Sequence, residues 1–139
     1  MEYRVILVES NRLMLERLSS VIRNTKGFEL VSSYQRAGDA LGQGLMFKPN
    51  LILLDIDESD NLALLEDFSK TYAEADVICL SAKWAPSDSE SIARAGAKGF
   101  LIKPFTSEEL QEALRTFNKT GLSYGSNVLA FFSPKGKSG

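Results

Sequence analysis

Four residues carry the chemistry this sequence offers, and each follows an apolar run. Glu9 follows Val5-Ile6-Leu7-Val8, Asp55 follows Leu51-Ile52-Leu53-Leu54 with a second carboxylate, Asp57, two residues on, Ser81 follows Val77-Ile78-Cys79-Leu80, and Lys103 follows Phe100-Leu101-Ile102. Carboxylates supply negative charge and lone pairs, a hydroxyl supplies a donor, and an ammonium supplies fixed positive charge. Taken alone, a carboxylate displayed by a strand serves equally well as an acid, a ligand or a nucleophile. The chain contains no histidine. Histidine catalysis, histidine metal ligation and an internal phosphohistidine relay are therefore excluded, and any phosphohistidine donor is another protein.

The elements that must position these residues alternate in type. Apolar runs of four or so residues bounded by turn formers read as strands buried on both faces. Between them, Leu13, Met14, Leu18, Val21 and Ile22 have helical spacing, as do Ala40, Leu41, Leu45 and Met46, then Leu62, Leu64, Leu65 and Phe68, and finally Leu110, Ala113, Leu114 and Phe117. Gly42 and Gly44 make the second of these helices the least stable, at roughly 1 kcal/mol each relative to alanine. Ser87 with Glu90 and Thr106 with Glu109 have capping-box spacing, and Gly96 ends the helix that Pro86 opens. Phe28 to Tyr34 supplies another strand. Five strands alternating with five helices predict an α/β fold, a flavodoxin-like doubly wound five-stranded parallel sheet in the order 2-1-3-4-5. In that order strands 1 and 3 meet at the switch point, so Glu9, Ser10 and Asp55 share one crevice at the carboxyl edge, where ligands bind in such sheets.

Bulk properties agree with a single globular unit. The 139 residues are 44% hydrophobic and 24% charged with a net charge of -2, which supplies no field for nucleic acid. The lone Cys79 reads as a core residue of a reduced, cytoplasmic protein. No run approaches transmembrane length, and residues 1–5 lack the features of a signal peptide, so membrane insertion is not expected.

Glu9, Asp55, Ser81-Ala82 and Lys103-Pro104-Phe105, each ending its own strand in this order, resemble the receiver (CheY-like) domain of bacterial two-component response regulators over residues 3 to about 119. The resemblance implies that Asp55 is the phospho-acceptor, Ser81 the hydroxyl that bonds a phosphoryl oxygen, Lys103 the cation that pairs with it, and Phe100 the aromatic switch. Plain core packing is the other reading of Phe100. The resemblance also implies a magnesium site at Glu9, Asp55 and the main-chain carbonyl of Asp57, a histidine kinase as partner, and dimerisation through the fourth helix, fifth strand and fifth helix. Ser10 departs from the family, which carries two adjacent acids here. A neutral hydroxyl in place of a carboxylate makes magnesium binding weak or absent. The acidic side chain of Asp57 has two readings, a partial compensation for Ser10 at the metal pocket or, with Glu58, a solvated loop charge, and the second is preferred. Lys83-Trp84-Ala85-Pro86 places the only tryptophan in a loop beside the site, as a partner anchor or a lid.

After this domain, residues 1–119, residues 120–127 read as a linker and residues 128–139 as a new start. Val128-Leu129-Ala130-Phe131-Phe132 is an apolar strand, and Lys135, Gly136 and Gly139 resemble the beginning of the deviant Walker A loop of MinD/ParA-type ATPases, interrupted before its lysine and hydroxyl residue. A flexible basic tail is the plain alternative. A receiver ahead of a MinD/ParA-like ATPase resembles the TadZ/CpaE family of Flp pilus assembly. That resemblance implies an atypical receiver acting as an interaction and localisation module at the cell pole, with pilus assembly components as partners and ATP bound only by the full-length protein. No enzymatic activity is expected beyond phosphorylation and dephosphorylation at Asp55. The alternative is a working phospho-receiver in a phosphorelay.

Overall fold

The computed structural model describes residues 2–83, 89–119 and 128–131. Its parallel strands are β1 (Tyr3–Val8), β2 (Phe28–Tyr34), β3 (Leu51–Asp55), β4 (Asp76–Ser81) and β5 (Gly99–Ile102), paired in the expected order 2-1-3-4-5. A sixth strand, β6 (Val128–Phe131), runs antiparallel along the outer edge of β5. The apolar run at 128 thus forms the strand its composition predicts, and it lies in the same sheet.

Side chains alternate across the sheet and give it two cores. Val5, Leu7, Leu51, Leu53, Ile78, Leu80 and Leu101 meet α1 (Arg12–Arg23) and α6 (Ser107–Lys119) on one face. Ile6, Val8, Ile52, Leu54, Val77, Cys79 and Phe100 meet α2 (Ala37–Gln43), α4 (Leu65–Thr71) and α5 (Ser89–Arg94) on the other. The central strand β3 is fully buried along its length, Asp55 included. Its four apolar residues contribute about 6–12 kcal/mol at ~1.5–3 kcal/mol each. That exceeds the several kcal/mol a buried carboxylate costs, so β3 can carry Asp55 inward provided the carboxylate is paired.

Three expectations are corrected. The single helix expected after β3 is two, α3 (Ser59–Ala63) and α4, divided at Leu64, so the described residues contain six α-helices instead of five. The buried Asn61 explains the division, because its amide donates to the Asp55 carbonyl at 2.9 Å and pins α3 to the end of β3. Secondly, Leu45 and Met46 do not form an inner face but are 55% and 75% exposed. The chain tightens at Gly44 into a 3-10 turn, Gly44–Phe47, whose larger rotation per residue carries them outward. Packing is close there, since a Cβ on Gly44 would lie 2.2 Å from the Tyr72 hydroxyl and 2.7 Å from Ile6, and both side chains would have to shift. Thirdly, Leu13 is 77% exposed at the crevice mouth, while Met14, Leu18, Val21 and Ile22 turn inward.

Helix ends follow their sequence signals where they are described. Asn11 caps α1 by accepting from the Met14 amide, and Thr106 and Glu109 form the reciprocal capping box of α6. Gly96 adopts φ 110° beyond α5. Ser87 of the other capping box lies outside the described residues. No described helix is long and apolar enough to cross a membrane.

Candidate functional site

Backbone bonds beyond the strand ends aim each site residue. The Glu9 amide donates to Tyr34 O at 3.0 Å, the Ile56 amide to Leu80 O at 2.9 Å, and the Lys103 amide to Ser81 O at 2.9 Å. These bonds extend the ladders of β1, β3 and β5 just far enough to present Glu9, Asp55 and Lys103 to one crevice. Its lining also includes Ser10, Asp57 and Ala82.

Lys103 is the hub. Its Nζ lies 2.6 Å from Glu9 Oε1, 2.8 Å from Asp55 Oδ1 and 3.5 Å from Asp57 Oδ2, and its side chain is only 5% exposed. Burial works against the ammonium, but hydrogen bonds to Asp55 and Glu9 outweigh it and hold Lys103 above the ordinary lysine value. For Glu9 the balance goes the other way. Burial pushes its carboxyl up and the Asp55 charge adds to the rise, while the bonds from Lys103 and the Asn11 amide only partly offset it.

Asp55 is held on all sides. Its Oδ2 accepts from the Ser10 hydroxyl at 3.0 Å and the Ser10 amide at 3.4 Å. Its Oδ1 accepts from Lys103 and, at 2.8 Å, from the Asp57 amide. The carboxylate oxygens of Glu9 are likewise taken, Oε1 by Lys103 and Oε2 by the Asn11 amide at 3.0 Å. Gln35 steadies the first loop by donating to Ser10 O at 3.1 Å.

Asp57 is exposed, as a loop charge is expected to be, but its carboxylate is bound on both oxygens. Its Oδ1 accepts from the Ser81 hydroxyl at 2.5 Å and its Oδ2 from the Ala82 amide at 2.8 Å. Burial alone would raise its pKa, but the bonds from Ser81 and Ala82 and the Lys103 charge prevail and hold the carboxyl below the ordinary aspartate value. Glu58 is exposed at the rim.

Of the residues singled out by sequence, Glu9, Ser10, Asp55, Asp57, Ser81 and Lys103 come together. Phe100 is 3% exposed and packs within the apolar core beside β4. Cys79 is buried, and burial pushes its thiol up to about 12, consistent with an inert core residue. Trp84, Lys135, Gly136 and Gly139 lie outside the described residues. Sequence reasoning missed Asn61, the Ala82 amide and the capping role of Asn11. Only Asn11 left a signal, a cap residue directly before an amphipathic helix.

Magnesium requires hard oxygens in near-octahedral array. Here both oxygens of Glu9 and both of Asp55 already accept protein donors, and Ser10 turns a proton toward Asp55. An ion entering here would share these oxygens with the donors that already hold them, and among the described residues no group of three or more acids, cysteines or histidines is placed to hold a metal.

Comparison with known proteins gives this geometry a family. The chain is 29% identical to the chemotaxis protein CheY of Bacillus subtilis, over 86% of its own length and 98% of that protein. It is 27% identical to the probable C4-dicarboxylate response regulator DctR of Halalkalibacterium halodurans over 84% of its length, spanning about half (51%) of that relative. A response regulator from Thermotoga maritima superposes with a TM-score of 0.71 at 19% identity, over 84% of this chain and 98% of the other. A LuxR-family two-component response regulator from Aurantimonas sp. SI85-9A1 gives 0.75 at 17% identity, over 97% and 92%. These superpositions show the fold. The family model of the response regulator receiver domain matches residues 5–115, and the chain therefore belongs to the response regulator receiver family.

Proposed function

We propose that this receiver is atypical and works through protein contacts, as an interaction and localisation module, more than through phosphoryl transfer. The observation that carries this reading is the Ser10 hydroxyl, 3.0 Å from Asp55 Oδ2. A donor there satisfies the acceptor carboxylate where a second acid would share a magnesium ion with it. The test is incubation with magnesium and acetyl phosphate or beryllofluoride, followed by intact mass and tryptophan fluorescence. The expected result is no stable adduct, and a stable magnesium-dependent adduct on Asp55 overturns the reading.

The module's attachment is the second part of the proposal: a MinD/ParA-like ATPase of the TadZ/CpaE type, serving Flp pilus assembly at the cell pole. The support is the Lys135, Gly136 and Gly139 pattern after an apolar strand. ATP would then be bound by the full-length protein, and this portion would not be an enzyme. Reading the codons after Gly139 tests it: Lys followed by Ser or Thr is expected, and any other sequence ends the ATPase reading. Partners in this view are pilus assembly components and a second copy meeting the α5–β5–α6 face.

One observation favours the alternative, a phospho-receiver served by a histidine kinase. Lys103 Nζ sits 2.8 Å from Asp55 Oδ1, with Ser81 ending the neighbouring strand, which is the placement that phosphorylation of Asp55 requires.

A further inference from the structure

We propose that the Asp57 carboxylate is the resident occupant of the oxyanion-holding side of the pocket and competes there with any external phosphoryl-like anion. The inference rests on the receiver reading of Ser81 and Lys103 and goes beyond it by giving the Asp57 side chain a task. A hydroxyl, a main-chain amide and an ammonium converge on this one carboxylate: Ser81 Oγ at 2.5 Å, the Ala82 amide at 2.8 Å and Lys103 Nζ at 3.5 Å. Such a set of fixed donors is what stabilises an oxyanion, whichever molecule brings it.

Asp57 reaches these donors at little entropic cost. Its own amide is tied to Asp55 Oδ1 at 2.8 Å, so the backbone is set and only a short side chain remains to be ordered. Ser81 has one hydroxyl proton but two acceptors in reach, Asp57 Oδ1 at 2.5 Å and Lys83 O at 2.8 Å. The charged and nearer acceptor takes the proton. The Lys83 amide in turn donates to Ser81 Oγ at 3.2 Å, closing the turn after β4 around the hydroxyl. The turn is thus held by an anion that the chain supplies itself.

An external anion must displace a tethered one and also approach its charge. Tethering gives Asp57 a high effective concentration at the three donors. Displacement is nevertheless open to solvent, because the Asp57 side chain is 35% exposed whereas those of Glu9 and Asp55 are each 1% exposed.

The test uses the full chain, carrying Asp57→Ala or Asp57→Asn, each with and without Ser10→Asp. Inorganic phosphate alone, and magnesium with beryllofluoride, are titrated against the Ala82 and Lys83 amide resonances. Removing the carboxylate is expected to shift the Ala82 amide before any anion is added and to tighten anion binding about tenfold or more. Anion affinity unchanged within about twofold in both Ser10 backgrounds, or no anion binding in any variant, overturns the proposal. Asp57→Asn preserves the side chain's shape, so a fold lost in Asp57→Ala leaves the test intact. Failure of the functional reading is seen separately, as a stable adduct on the unsubstituted chain.

Discussion

The two rims of the pocket treat carboxylates in opposite ways. On the β1 rim, Glu9 and Asp55 are withdrawn from water, with side chains 1% exposed, and Lys103 binds both. On the β4 rim, Asp57 keeps a third of its surface in solvent and is gripped by Ser81 and Ala82. Burial raises the Glu9 pKa more than its two donors lower it, whereas the donors of Asp57 outweigh a smaller burial cost. Burial and donor count thus pull in opposite senses, and within one crevice each prevails once.

Lys103 is the cation that both rims share, so its removal breaks the comparison most severely. Lys103→Met leaves Glu9 and Asp55 buried without their cation and is expected to cost ~3–5 kcal/mol in urea unfolding. A loss below about 1 kcal/mol, the range of exposed pairs, would show that the cation does not bind the rims together. Asn61→Ala comes next. It strips the Asp55 carbonyl of its buried donor at the point from which both acids spring, for ~1–3 kcal/mol, with faster amide exchange in α3 as its local signature. Ser10→Ala acts on the β1 rim alone. It is expected to cost ~0.5–1.5 kcal/mol and to leave the Ala82 amide resonance in place, and movement of that resonance would mean that the Asp57 amide bond to Asp55 carries the change from one rim to the other.

The smallest effect sharpens the contrast by pH. Asp57 has a folded pKa below its ordinary 3.8, so its contribution is present above that value and is lost as pH falls through the folded pKa. Glu9 has a folded pKa above its ordinary 4.5, so the folded chain binds its proton more tightly and stability falls as pH rises from 4.5 through the folded value. Urea midpoints from about pH 3 to pH 7 are expected to flatten on the acid side in Asp57→Asn and above 4.5 in Glu9→Gln. The same slope change in both variants would remove the distinction.

Much of this was legible from the chain because strand ends were legible. Apolar runs ending in Glu9, Asp55, Ser81 and Lys103 give both the sheet order and the edge at which those residues meet. Side-chain direction in the connections was not. Whether Asp57 faces water or Ser81 depends on the turn set by its amide bond to Asp55, which no residue type announces. Asn61 reads as a surface polar residue at a helix start, and its burial follows only from the approach of α3 to β3. Leu45 and Met46 fit a helical period that the 3-10 turn at Gly44 interrupts, because Tyr72 claims the space of a Cβ there. The strand at Val128 was readable from its composition, but its antiparallel partner depends on an edge of β5 distant in sequence.

That last strand has a directional consequence. β5 runs toward the pocket and ends beside Ser81, while β6 runs back, pairing Leu101 with Val128 and Gly99 with Phe131. The polypeptide therefore reaches Phe131 at the pole of the sheet away from Asp55, on the order of 10 Å along the strand at ~3.3 Å per residue. Phe131 is thereby paired with Gly99 at the start of β5, opposite the end from which Lys103 is presented.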